Sequence, residues 1–210
     1  MSWWDAAYRR GVVNWDPGDY DRHLPRVIQE FGIAPGRVLD LGCGTGKSTV
    51  WLAERGFDAT GIDLAPSAID QARSLAQTRG VAARFMVGRF PGDFVQSQAG
   101  EHTLGLYDLV IDRASIQHMG NGHRFASIME HIAALLRPGG IVYSLVIAGY
   151  GVPRGWGMGV WTESAIRRLF DGAFSLLHLE QTVFTPGEPG SVPAWLVIAR
   201  VSDRDDTKIT

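Results

Sequence analysis

The chain has 210 residues, 45% hydrophobic and 20% charged, with a formal net charge of −2 and a pI near 6.3. A chain this long buries roughly 70–75% of its unfolded surface as one domain, which leaves no room for a second of ordinary size. The charge balance argues against a nucleic-acid partner, which leaves a basic footprint, and the single cysteine, Cys43, excludes an intrachain disulfide and a cysteine-based zinc site.

In chain order, short apolar runs alternate with longer amphipathic ones, the pattern of a parallel α/β sheet. Residues 3–10 are expected to form a short helix and 19–32 a second, with Leu24, Val27, Ile28 and Phe31 at helical spacing. Arg37 to Leu41 reads as a buried strand, Lys47 to Arg55 as a helix capped by Gly56, and Ala59 to Asp63 as the second strand. Pro66 opens a helix that Gly80 ends. Strands follow at 83–87 and 107–112, with a poorly patterned connection over 90–104 between them.

The pattern then predicts a helix over 123–136 stopped by Pro138-Gly139-Gly140, and a strand over 141–147. The run 149–159 is too rich in glycine for helix or strand. Thr162 is placed to cap a helix over 163–170, and 174–184 with 193–201 read as a closing strand pair. Residues 1–201 are expected to form one domain with a helical N-terminal lid of about 34 residues, followed by a polar tail over 202–210. The first residues lack a basic region followed by an apolar run, so no signal peptide is expected. No apolar stretch approaches the roughly 18 residues that span a membrane, and the expected location is the cytoplasm. His23, His102, His123, His131 and His178 show no metal-ligand spacing, and no metal is expected.

The chemistry centres on Asp40-Leu41-Gly42-Cys43-Gly44-Thr45-Gly46, a strand-to-helix turn. Glycine permits φ > 0 and lets a ligand approach the backbone, and ligands of open α/β sheets bind outside the carboxyl ends of the strands. A phosphate loop needs a glycine where Leu41 stands, so Gly46-Lys47-Ser48 does not complete one. A dinucleotide fingerprint starting at Gly42 needs a glycine where Lys47 stands. A tight turn without ligand remains the simpler alternative. Asp63 ends the next strand, 17 residues after Gly46; a carboxylate there either accepts both ribose hydroxyls of a nucleoside or caps the helix at Pro66.

Four pieces in order, Val38 to Gly46, Gly61-Ile62-Asp63, Tyr107 to Asp112, and Leu136 to Gly140, resemble the class I S-adenosylmethionine-dependent methyltransferases. The resemblance implies a Rossmann-like α/β fold: a seven-stranded, mostly parallel sheet flanked by helices, with an antiparallel closing strand. It implies that S-adenosylmethionine is the cofactor, that Gly42, Cys43, Gly44 and Gly46 cradle its methionine part, and that Asp40 holds its amino group, directly or through water. Asp63 would take the ribose, with Leu64 against the adenine and Gly88-Arg89-Phe90 along its edge. Arg89 stands where the family often has an acidic residue, leaving backbone groups to make that contact.

Trp4-Asp5-Ala6-Ala7-Tyr8-Arg9, Asn14-Trp15-Asp16 and Ile111 to Ser115 resemble the thiopurine S-methyltransferase and tellurite-resistance branch. There the N-terminal segment folds over the cofactor, which would bring Trp15 near it; Asp112, at the end of the fourth strand, would be a further cofactor-binding residue, with Arg113 directly after it. His118, six residues after Asp112, is either a general base or a packing histidine; Arg113 either binds an anionic substrate or thiolate or makes a structural ion pair. Trp4, Tyr8, Tyr150, Trp156, Met158 and Trp161 are the candidate acceptor-binding residues, with the loop at 149–159 either a lid or a surface loop. The expected activity is methyl transfer to an S, O or N nucleophile of a small, largely apolar molecule, such as a natural product or thiol, by a monomer or homodimer. The alternative is a cofactor-binding protein that senses the cofactor or catalyses another reaction.

Overall fold

The structure, a computed structural model, describes residues 2–13, 15–16, 18–93, 107–119, 123–149, 160–185 and 191–202. The elements are α1 (Trp3–Arg10), α2 (Leu24–Glu30), β1 (Arg37–Leu41), α3 (Lys47–Ala53), β2 (Asp58–Asp63), α4 (Pro66–Arg79), β3 (Arg84–Val87), β4 (Tyr107–Arg113), α5 (Ile116–Met119), α6 (His123–Leu135), β5 (Leu136–Ile147), α7 (Glu163–Phe170), β6 (Phe174–Val183) and β7 (Pro193–Val201). Among the described residues the strands form one seven-stranded sheet in the order β3-β2-β1-β4-β5-β7-β6. Strands β1 to β5 pair in parallel, while β7 runs antiparallel to both β5 and β6. The one reversed strand therefore lies inside the sheet, and β6 forms the edge.

Side chains alternate across each strand, so a buried parallel strand feeds two cores. Leu39, Leu41, Val110, Val142 and Val146 pack with Ile128, Met129 and Ile132 of α6 and Phe170 of α7. Val38, Leu109, Ile111, Tyr143 and Leu145 pack with Leu24 and Val27 of α2 and Trp51 and Leu52 of α3. The order reverses after β3, which returns the chain to β4 on the other side of β1. The carboxyl ends of β1 and β4 thus flank the crevice where open sheets bind ligands.

Helix α1 lies on α4, with Tyr8 packed against Ala65 and Ala68. The N-cap position of α4, Ala65, offers no side-chain cap; instead Asp5 of α1 accepts the Ser67 N–H at 2.9 Å. That contact fixes α1 across the carboxyl edge of the sheet.

Several elements differ from the sequence pattern. The helix expected over 19–32 occupies only Leu24–Glu30, because Tyr20 stacks on Trp51 at 4.7 Å and Asp21 turns back to accept the His23 N–H. The helix expected to reach Arg55 ends at Ala53, closed by Gly56 N and Phe57 N on the carbonyls of Ala53 and Leu52. Helix α6 stops at Leu135, and Leu136 already pairs with Tyr107, so β5 begins five residues before the expected Ile141. Helix α5 has no apolar period to announce it. It starts because Asp112 accepts the Ser115 and Ile116 N–H groups, the job of an N-terminal cap.

Candidate functional site

The glycine turn leaves β1 with Gly42, Gly44 and Gly46 at φ 67°, 54° and 77°, all in the left-handed region. The Gly42 and Cys43 N–H groups donate to the Ile62 carbonyl at 2.8 and 3.0 Å, which pins the turn to β2. Gly44 then donates its N–H to Asp63 Oδ2 at 3.0 Å, while Asp63 Oδ1 accepts the Ala65 N–H at 2.8 Å. Asp63 is 8% exposed, and burial raises its pKa against the lowering effect of those amides. Two bonds leave a carboxylate with acceptor sites to spare. It both braces the turn and presents an oxygen edge beside it.

The missing side chains matter at all three glycines. A β-carbon on Gly42 would run into the Ser115 side chain. One built on Gly44 would stand 2.8 Å from the Tyr8 hydroxyl and 3.2 Å from Asp16 Oδ2, so the N-terminal segment comes down onto bare backbone there. Gly46 instead faces Ala72 and Phe85 and serves helix packing.

Beneath the turn lie two buried carboxyl groups. Asp40, 3% exposed, accepts the Thr49 hydroxyl at 2.6 Å; burial pushes its pKa up to about 7, against the Thr49 bond and with the charges of Asp112 and Asp63. Asp112, fully buried on β4, accepts Ser144 Oγ at 2.7 Å as well as the two α5 amides, and burial pushes it up to about 6. Its hydrogen bonds all go to the protein's own strand and helix.

Over the turn lies an aromatic cluster. Trp15 Nε1 donates to the Tyr8 hydroxyl at 3.2 Å. The Trp4 ring meets Trp15 edge-on at 5.3 Å and His118 edge-on at 5.1 Å. His118 keeps one side open to solvent, yet the protein around its ring lowers its pKa by desolvation. The structure thus brings Trp4, Tyr8 and Trp15 of the N-terminal segment together with His118, which lies far along the chain.

Arg113 turns the other way. Its Nη1 donates to the Trp15 carbonyl at 2.7 Å, its guanidinium lies 4.1 Å from the Phe184 ring centroid, and its Nε is 3.9 Å from Asp21 Oδ2. These contacts of Arg113 are with the protein itself, and Asp21 is its ionic neighbour. Asp21 in turn accepts the Tyr143 hydroxyl at 2.5 Å.

Leu64 is half-buried directly after Asp63, and Gly88 N–H donates to the Asp63 carbonyl at 2.9 Å, so both stand at this edge. Arg89 is exposed, with its N–H on Asp93 Oδ2 at 3.0 Å. Phe90 is buried in the core, 8% exposed. Trp161 donates its N–H to the Ala148 carbonyl at 2.9 Å and its ring meets Phe125 at 5.1 Å. Tyr150, Trp156 and Met158 lie outside the described residues. Among the described residues no group of three histidine, cysteine, aspartate or glutamate side chains is arranged for a metal, and no helix is long and apolar enough to cross a membrane.

Two contributors carried no signal strong enough to single out. Asp16 accepts the Thr45 N–H at 3.2 Å and its hydroxyl at 2.7 Å. Lys47 pairs with the Asp16 carboxylate at 3.2 Å and donates to its carbonyl at 2.9 Å. Aspartate after Trp15 and lysine after the last glycine were the visible clues, but nothing in the sequence states that they meet.

Residues 38–140 match the family model of a methyltransferase domain. The tRNA 5-carboxymethoxyuridine methyltransferase of Escherichia coli (strain K12) is 29% identical over 129 residues, 61% of this chain and 47% of that protein. The ubiquinone biosynthesis O-methyltransferase of Bordetella avium (strain 197N) is 33% identical over 138 residues, 61% of this chain and 54% of that protein. The chain spans about half the length of these curated relatives. A solved structure described as "Conversion of a Disulfide Bond into a Thioacetal Group during Echinomycin Biosynthesis" superposes with a TM-score of 0.75 at 26% identity, covering 94% of this chain and 91% of that one. The turn and Asp63 suit the methyl donor of such domains: a buried carboxylate with spare acceptor sites stands beside backbone that carries no side chain. Through residues 38–140 the chain belongs to the class I S-adenosylmethionine-dependent methyltransferases.

Proposed function

We propose that the chain transfers a methyl group to an S, O or N nucleophile of a small, largely apolar molecule. The observation that carries this reading is the aromatic mouth, where Trp4 touches both Trp15 and His118 above the glycine turn. When bound, S-adenosylmethionine supplies a methyl on a sulfonium, which a nucleophile displaces in line as the bonding pair returns to sulfur. The chain's share is alignment, which is worth roughly 7–11 kcal/mol in well-oriented reactions.

In this reading Asp63 binds the ribose hydroxyls, Leu64 lies against the adenine, and the backbone of Gly88 and Arg89 edges it. Gly42, Cys43, Gly44 and Gly46 line the methionine part, with Asp40 beneath acting on the amino group through water. Trp15 covers the cofactor, and Arg113 acts as a positioning residue that holds the Trp15 backbone. Asp112 sets the start of α5 and so places His118. Trp4, Tyr8 and Trp161 form apolar walls for the acceptor.

His118 takes the proton from the nucleophile as the new bond to carbon forms. Its depressed pKa keeps it neutral and ready to accept. A thiol asks least of such a base, because it ionises near neutral pH. The relative described by the disulfide-to-thioacetal conversion supports a sulfur-containing natural product as the acceptor class. The net charge of −2 favours a small acceptor over nucleic acid.

A methyl-transfer assay across thiol, phenol and amine panels tests the reading. Turnover of one class, with loss in Trp4→Ala, is the expected result. Cofactor binding without transfer to any class would overturn it in favour of a cofactor sensor or an enzyme of another reaction.

A further inference from the structure

Three elements of the molecule meet on Asp21, a buried carboxylate between the N-terminal segment and the sheet. Its N–H donates to Ser48 Oγ of α3 at 3.1 Å, and its Oδ1 accepts the His23 N–H at 3.0 Å. Its Oδ2 accepts the Tyr143 hydroxyl of β5 at 2.5 Å. Arg113, the last residue of β4, places its Nε 3.9 Å from the same oxygen. That Nε is buried and without a hydrogen-bond partner among the described residues, so the charge of Asp21 is what faces it.

Taking two charges out of water offsets most of their attraction, so a covered ion pair gives little net stability. What this one fixes is direction. A guanidinium is planar, and its five N–H groups form a rigid fork. Asp21 stands at the Arg113 Nε edge, and the Phe184 ring centroid lies 4.1 Å from its Cζ. With one edge and one face held, Nη1 is aimed at the Trp15 carbonyl, 2.7 Å away. Trp15 in turn donates Nε1 to the Tyr8 hydroxyl and meets Trp4 edge-on. The chain of contacts runs from Tyr143 in β5 through Asp21 and Arg113 to the aromatic cluster above the glycine turn.

Resting on the proposed role of Trp15 as the cofactor's cover, we infer that Asp21 is a positioning residue for retention of the methyl donor: it aims the Arg113 guanidinium, which holds the Trp15 backbone in place. Asp21 itself touches neither donor nor acceptor. Its charge sets how long the donor stays, through a cover that closes only in the orientation Arg113 allows.

The release rate of S-adenosylhomocysteine, measured by stopped-flow competition, tests this role. Asp21→Asn keeps the size of the side chain and an oxygen for the His23 N–H, but removes the charge that faces Arg113. It is expected to release S-adenosylhomocysteine about tenfold faster, the scale of a lost charged hydrogen bond. Trp15→Ala is expected to speed release as well, and adding Asp21→Asn to it is expected to change nothing further, because residues that act through one another are not additive. A merely structural role would multiply the two factors. Asp21→Asn combined with Arg113→Met buries no lone charge, so it serves where the single variant is destabilised; the same fast release is expected of it, with or without Trp15→Ala. Unchanged release in Asp21→Asn while Trp15→Ala releases faster overturns the role of Asp21 and leaves the cover standing. Multiplied effects overturn it too. Unchanged release in Trp15→Ala removes the cover, and failure of the unaltered chain to bind S-adenosylhomocysteine removes the donor site; the role of Asp21 falls with either.

Discussion

The Gly44 N–H donates to Asp63 Oδ2 at 3.0 Å, so the carboxylate that ends β2 holds the turn that leaves β1. The helix-start reading of Asp63 corresponds to its contact with the Ala65 N–H, and the ligand reading is the one proposed above. Asp63 Oδ1 serves the entry to α4 through the Ala65 N–H.

Asp63→Ala therefore has two effects. It leaves two amides without their acceptor, which costs about 1–3 kcal/mol where such groups stay buried. It also weakens S-adenosylhomocysteine binding by about tenfold or more if the carboxylate takes the ribose. Thermal melts with and without ligand separate the two. A variant that is destabilised but binds with unchanged affinity refutes the ribose role.

Trp4 packs edge-on against His118. Desolvation disfavours the charged imidazole, so His118 loses its proton at a lower pH than a free histidine does. Trp4→Ala opens that ring to water, and its pKa is expected to rise toward the ordinary 6.5. The acid limb of the kcat/KM profile should move upward in pH with it, and the His118 ring signal in an NMR titration should follow. A profile that stays in place while the ring signal moves removes His118 as the base.

Asp112 links stability to pH. Its folded pKa, about 6, lies above the value of 3.8 for an unfolded aspartate. The folded chain holds the proton more tightly, so this contribution is full below pH 3.8 and is lost as pH rises through about 6. Asp112→Asn keeps an oxygen for the Ser115 and Ile116 amides and has no charge to bury. It should match the unaltered chain near pH 4 and be more stable by about 1–3 kcal/mol at pH 7–8. Denaturant melts at the two pH values measure this; a variant less stable at both shows that the ionised carboxylate is favoured where it stands.

Much of the site was legible because its signals are local. A glycine at positive φ, an acid at the end of a strand and alternating apolar runs leave their marks within a few residues. The extent of α2 was not legible, because the stacking of Tyr20 on Trp51 and the bond from Tyr143 to Asp21 decide it from 31 and 122 residues away. Helix α5 escaped the pattern for a related reason: it spans only four residues, and a capping carboxylate starts it.

Arg113 shows the limit most clearly. A cation just after β4 looks the same in sequence whether it faces a ligand or the protein. The Phe184 ring and the Trp15 carbonyl, from opposite ends of the chain, draw it to the protein.

By itself, the sequence determined the strand–turn–helix unit at Asp40 to Lys47, the acid at Asp63 and the methyl-donor family. These depend on backbone sterics and short-range periodicity. Only the tertiary structure decided that Tyr8 and Asp16 descend onto Gly44, that Trp4 meets His118, and that Arg113 bonds to the Trp15 carbonyl. Those contacts join segments separated by dozens of residues. They are selected by which surfaces the folded sheet brings within hydrogen-bonding and van der Waals range, which no local pattern encodes.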